Sequence, residues 1–221
     1  MQVSGFVSAV SMFDYEELAV EYEALRATAP RRHQVGKRYL VDHVSVAGAT
    51  SSNRAEEHLA ARLLASGKLV SPARTIRLID FQVPLKARGL DTGIGKVDLL
   101  GFDHTLVAIE LKVARPGGGA DTPIGAALEA LAYAAILEAN ADDLALELHE
   151  RGMSLSVPRP EVLVLTTENY WQRWLRGAAS GGWREALAAF TERVEKSVGV
   201  QIQFSSLIGD TNSIRSLDDP R

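Results

Sequence analysis

The chain has 221 residues, 46% hydrophobic and 24% charged, which is enough for one domain with a substantial buried core and argues against a disordered polypeptide. With no cysteine it excludes disulfides, thiolate zinc sites and a cysteine nucleophile; with no apolar run near membrane-span length, and a start at Met1 to Phe13 unlike a secretory signal, it is expected to be cytoplasmic. A formal net charge of −4 argues against a general nucleic-acid coat, because affinity for phosphates follows Lys and Arg density.

In chain order, Leu18, Ala19, Tyr22 and Leu25 recur at helical spacing and predict a surface helix over Asp14 to Ala27, ended by Pro30-Arg31-Arg32-His33. Tyr39 to Val46 reads as a strand or extended link. Asn53 is a candidate cap for a helix to about Ala65, stopped at Gly67. Three strands are predicted next: Arg74 to Leu85, Ile94 to Phe102, and Leu106 to Val113, the last two joined by the tight turn Asp103-His104-Thr105. They form an antiparallel meander. After Pro116-Gly117-Gly118-Gly119, Thr122 caps and Pro123 opens a long Ala/Leu-rich helix reaching about Asn140. A compact strand over Glu161 to Thr167, a helix from about Trp183 to Ser197 and a strand over Val200 to Leu207 complete the order. A long helix between two apolar strands makes a parallel crossover, so the fold expected is α/β, with a central mixed β-sheet flanked by helices. Residues 1–52 read as an N-terminal helical and extended appendage, 53–208 as the core domain, and 209–221 as a flexible polar tail.

Charge is uneven along this frame. From Lys68 to Lys96 the chain carries six basic residues (Lys68, Arg74, Arg77, Lys86, Arg88, Lys96) against Asp80 and Asp91, a local excess of +4, whereas Glu138, Asp142, Asp143, Glu147 and Glu150 make an acidic stretch. The basic segment leads into Gly95-Lys96-Val97-Asp98-Leu99-Leu100-Gly101. There Asp98 occupies a strand position that would ordinarily be apolar, and a desolvated carboxylate needs a cation beside it.

In the following strand, Ile109-Glu110-Leu111-Lys112, period-two alternation puts Glu110 and Lys112 on one face. Glu-x-Lys by itself also suits a solvated sheet face. If the two strands pair across their short turn, Asp98 joins Glu110 and Lys112, and the two carboxylates can share Mg²⁺ or Mn²⁺ while the lysine faces a phosphate. Glu56 interrupts the apolar stripe formed by Ala55, Leu59, Ala60, Leu63 and Leu64; it either serves the same cation or its water, or is a first-turn glutamate favoured by the helix dipole. Glu57 is expected at the solvated edge. Glu129 and Tyr133, four residues apart, share a helix face; they contact substrate or order the site, or are simply a surface glutamate and a packed tyrosine.

Glu56, Val97-Asp98, Glu110-Leu111-Lys112, and a helix with Glu129 and Tyr133 form a pattern that resembles the PD-(D/E)XK, or restriction-endonuclease-like, superfamily, in particular its RecB-like and resolvase-like branches. The resemblance spans about Asn53 to Thr167. It implies an αβββαβ core and Mg²⁺- or Mn²⁺-dependent hydrolysis of nucleic-acid phosphodiester bonds, DNA first among the substrates. It makes Asp98 and Glu110 metal ligands, Lys112 the catalytic lysine and Glu56 an auxiliary helical carboxylate. Val97 stands where the motif's proline would be, and the last helix lacks the frequent glutamine. Cutting both strands of a duplex calls for two active sites, hence a homodimer is one expected assembly.

The alternative from another class is a catalytically silent nuclease-fold module that binds nucleic acid or a protein partner, using Tyr170, Trp171, Trp174 and Trp183 with Arg173, Arg176 and Arg184; core packing explains the same aromatics. Gly93-x-Gly95-Lys96 and Gly117-Gly118-Gly119 complete no phosphate-loop motif, which weakens a nucleotide-binding transferase. The five histidines show no ligand spacing.

Overall fold

A computed structural model describes residues 13–41, 55–114, 122–175 and 182–217. Helix α1 (Tyr15–Ala27) begins at Asp14, whose Oδ1 accepts from the N–H groups of Glu16 and Glu17 at 3.0 and 2.9 Å. Helix α2 (Ala55–Ser66) is followed by strands β1 (Lys68–Val70), β2 (Thr75–Pro84), β3 (Lys96–Phe102) and β4 (Thr105–Lys112). Then come α3 (Pro123–Ala139), α4 (Ala141–His149), β5 (Val157–Thr166), α5 (Glu168–Leu175), α6 (Trp183–Val198), β6 (Ile202–Leu207) and β7 (Ile214–Ser216). Asn53, most of the Tyr39 to Val46 segment and the Gly117 to Gly119 triplet lie outside the described residues; residues 39–41 are not strand.

The seven strands form one mixed sheet in chain order. Strands β1 to β4 are antiparallel, β4, β5 and β6 run parallel, and β7 returns antiparallel to β6. The expected meander is therefore β2-β3-β4, and α3 lies in the crossover from β4 to β5. Strand β5 starts earlier than expected, at Val157. Its register shift against β4, where Thr105 faces Val157 but Val107 faces Glu161, absorbs the Pro158 and Pro160 positions that cannot donate to a ladder.

Alternation divides the core by face. Leu99, Val107, Ile109, Leu111, Leu163 and Leu165 pack with Leu59, Leu63 and Leu64 of α2. Leu100, Leu106 and Ala108 face the other way, onto Tyr133, Ile136 and Leu137 of α3 and Leu144 and Leu148 of α4. Val162, Val164, Ile202 and Phe204 pack with α1, α3 and α6. Helices thus cover both faces.

The segment expected to be a flexible tail contributes β7, and the residues just before that strand reach back to β1. The Val70 N–H donates to the Asn212 carbonyl at 3.0 Å, Asn212 Nδ2 donates to the Lys68 carbonyl at 3.0 Å, and Val70 bridges Ser213, so β1 meets the residues that lead into β7. Ile214 enters the same apolar cluster as Leu69. Among the described residues no single helix is long and apolar enough to cross a membrane; α3 and α4 reach that length only together, across a 76° bend.

Candidate active site

Every residue of β4 is buried, yet two of them are ionisable: Glu110 is 3% exposed and Lys112 8%. They share the face turned away from α2, as period two requires. The β3–β4 ladder pairs Phe102 with Leu106 up to Leu99 with Ile109; beyond it, the Leu111 N–H donates to Asp98 Oδ2 at 3.0 Å. A side-chain carboxylate thus takes the place of a main-chain acceptor where the strands would otherwise continue pairing. Asp98 Oδ1 accepts from Gln82 Nε2 at 3.1 Å, and Gln82 is one of two non-glycine residues with left-handed backbone among those described, at φ 50°. Strain of this kind persists only where surrounding contacts fix it.

Asp98, Glu110, Lys112, Glu129, Tyr133 and Glu56 all line one cavity of about 480 Å³. The structure thus brings together every residue singled out for chemistry. Glu57, expected at a solvated edge, lines the cavity as well. Lys112 Nζ donates to Glu110 Oε1 at 2.7 Å and to Glu129 Oε2 at 3.4 Å, while the Tyr133 hydroxyl donates to Glu129 Oε1 at 2.7 Å. Tyr133 is therefore both packed and connected to the site. A Cβ on Gly95 would stand 2.2 Å from the Tyr133 hydroxyl, so this glycine makes room for the tyrosine instead of cradling a phosphate.

The electrostatics follow from burial. Desolvation is the main force raising the Glu110 carboxyl from 4.5 to about 9, the charge of Asp98 adds to it, and Lys112 offsets part. Asp98 rises from 3.8 to about 6, again mainly by burial; the Leu111 N–H and Lys112 pull it down, and Glu56 and Glu129 push it up. Burial and the hydrogen bond to Glu129 raise Tyr133. One ammonium group serves several carboxylates. Among the described residues no three Asp, Glu or His side chains form a ready-made ion cage. The cavity offers a carboxylate pair whose oxygens are hard ligands and whose raised proton affinities mark unmet demand for positive charge, a donor set that fits Mg²⁺ or Mn²⁺.

The aromatic segment lies elsewhere. Tyr170, Trp171 and Trp183 are core residues, with Trp171 stacked on Trp183 at 5.8 Å between ring centroids and edge-on to Phe204 at 6.1 Å. Arg184 lies over Trp183 at 5.0 Å and donates to the Leu217 carbonyl. The side chains of Arg173 and Trp174, and all of Arg176, lie outside the described residues. Gln82 was missed by sequence reasoning. Its signal was the one that exposed Asp98: a polar residue between Phe81 and Val83 in an otherwise apolar strand.

Comparison of the chain with protein-family models, with curated proteins and with solved structures finds no match.

Proposed function

We propose that this chain is a metal-dependent nuclease with a PD-(D/E)XK-type core, hydrolysing DNA phosphodiester bonds with water as the nucleophile. The observation that carries the reading is the burial of Asp98 and Glu110 in one cavity, where the charge of Asp98 adds to the proton affinity that burial gives Glu110, with Lys112 hydrogen-bonded beside them. The order α2, β1, β2, β3, β4, α3, α4, β5 supports the αβββαβ reading of the core, with the three-residue β1 and the short α4 as additions to it.

Asp98 and Glu110 would hold the cation, with Glu56 as an auxiliary carboxylate reaching the cavity from α2. When bound, Mg²⁺ or Mn²⁺ lowers the pKa of a water molecule it carries and neutralises charge on the phosphate. The protein's share of the work is placement. Gln82 and the Leu111 N–H hold the two oxygens of Asp98 in a fixed orientation, each with a lone pair to spare. Lys112, held by Glu110 and Glu129, presents its ammonium to the phosphate oxygens as negative charge builds on them. Tyr133 holds Glu129, and through it the lysine. Hydrolysis adds water to phosphorus, breaks one P–O ester bond and leaves a phosphomonoester and a free hydroxyl, so no covalent enzyme intermediate forms.

The experiment is a panel of labelled DNA and RNA substrates with Mg²⁺ or Mn²⁺, run with the parent chain, Asp98→Ala and Lys112→Ala, alongside calorimetric titration of Mn²⁺. The parent should cut, both variants should lose at least about 100-fold in rate, and Asp98→Ala should lose Mn²⁺ binding. Equal cutting by all three chains refutes the assignment. Nucleic-acid binding without cutting or Mn²⁺ uptake favours the silent module.

A further inference from the structure

Residues 85–95 join β2 to β3, and Leu85, Lys86, Ile94 and Gly95 at the two ends of this loop line the cavity. The base of this loop is anchored: Leu85 is fully buried and Ala87 is 5% exposed. The Ala87 carbonyl accepts from Lys37 Nζ at 2.7 Å and the Lys86 carbonyl from Arg32. Its tip is braced from within. Asp91 Oδ2 accepts from the N–H groups of Ala87 and Arg88 at 2.8 and 2.7 Å, and the Thr92 N–H donates to the Leu90 carbonyl at 2.8 Å. This brace holds Leu90 outward, 87% exposed, the most exposed large apolar side chain described. An exposed leucine alone says little. This one is flanked by Lys86, Arg88 and Lys96, all exposed, and no ion pair is found for any of them among the described residues. Lys86 and Lys96 line the cavity itself. The only carboxylate within the loop, Asp91, accepts from main-chain N–H groups of the loop itself, and set against Lys86, Arg88 and Lys96 it leaves residues 85–96 with a formal charge of +2.

Resting on the nuclease reading, we infer that residues 85–96 are a docking element for duplex DNA: Lys86, Arg88 and Lys96 hold phosphates flanking the one in the cavity, and Leu90 is a wedge pressed into a base step. Single strands are gripped by aromatic platforms. The loop carries none, and the one aromatic residue lining the cavity among those described, Tyr133, has its ring packed in the core and only 7% of its surface exposed. An aliphatic side chain between backbone-binding cations is the equipment of a duplex-deforming contact.

The test measures binding apart from chemistry, by fluorescence anisotropy of the full chain with a short fluorescein-labelled DNA duplex in chelator over a range of salt. Replacing Lys86, Arg88 and Lys96 together by Gln should weaken binding on the order of 100-fold near 0.1 M salt and flatten the plot of log affinity against log salt by about 2.5. In a duplex carrying 2-aminopurine, the parent should raise the fluorescence by unstacking the base, and Leu90→Ser should abolish the rise while keeping the salt slope. An unchanged slope in the triple variant, an unchanged 2-aminopurine signal in Leu90→Ser, or equal affinity for the single strand overturns the inference. Since no cleavage is scored, a chain that binds as described but never cuts leaves this docking element standing and defeats the nuclease assignment; a chain that cuts with an unaltered salt slope does the reverse.

Discussion

Replacing Glu110 by glutamine should make the cation-free protein more stable, although it removes a residue from the proposed centre. The folded chain holds the Glu110 proton until about pH 9, whereas an unfolded one releases it near 4.5. A carboxyl whose folded value is raised contributes its full stability below its ordinary range and loses it as pH rises through the folded value, a loss of about 1.4 kcal/mol per pH unit as a ceiling. Asp98 adds a smaller loss, complete once pH passes about 6. Glutamine keeps the shape and an acceptor for Lys112 but removes the titration. Glu110 is largely neutral at pH 8, so glutamine forfeits little charge attraction to Lys112; taking less than half of the ceiling, a gain of ~2 kcal/mol at pH 8 is expected, about 4–8 °C in Tm for a chain of this size. The gain should shrink towards zero at pH 5. Thermal melts of both chains from pH 5 to 9, with and without Mn²⁺, check this: Mn²⁺ should raise the parent's Tm increasingly with pH and leave the variant's unmoved. A variant that is less stable at pH 8, or equally advantaged at both ends of the range, refutes the burial argument.

Gly95→Ala should cost about 1–3 kcal/mol in chemical denaturation, since its Cβ would collide with the Tyr133 hydroxyl, and adding Tyr133→Phe should restore at least half; no recovery would show that the tyrosine is not what the glycine accommodates. Glu147→Ala should lower Tm by on the order of 10 °C, because the buried carboxylate accepts from the Tyr39 and Leu40 N–H groups at 3.0 and 2.8 Å and both would be stranded; a loss under about 1 kcal/mol would mean that these groups find other partners. Gln82→Ala should reduce Mn²⁺ affinity in calorimetry by about 10- to 100-fold while keeping binding measurable, as expected of a group that orients a ligand without being one; unaltered affinity would remove Gln82 from the site.

The parts of the fold readable from sequence are those where one strong local signal spans many residues. Strands β3 and β4 are largely apolar over seven and eight residues. Helix α3 has its Thr122 cap, with Oγ1 accepting from the Gly125 N–H at 2.9 Å, and Pro123 at its start. What escaped is short or disguised. Strands β1 and β7 have three residues each, too few to show a period, and β7 buries only Ile214. Helix α4 passed for an acidic stretch because its buried side includes Glu147, whose charge is spent holding residues 39–40 and pairing with His33. Helix α5 hid among aromatics that suit either a core or a binding face. The site was legible for a related reason: ionisable side chains at apolar positions of a strand conflict with their surroundings, and such conflict points to function. Gln82 shows the limit, since an uncharged amide in the same situation raises a weaker alarm.

The meeting of Val70 with residues 212 and 213 makes the sheet resemble a hoop whose ends are fastened late. On the ribosome, the first strand must wait for some 140 further residues before its open flank is sealed, and until then a row of unsatisfied main-chain groups is available to any passing extended segment. A stop codon just past residue 208 would leave that flank permanently bare without touching the cavity, so its first symptom should be clumping of nascent chains and not loss of chemistry.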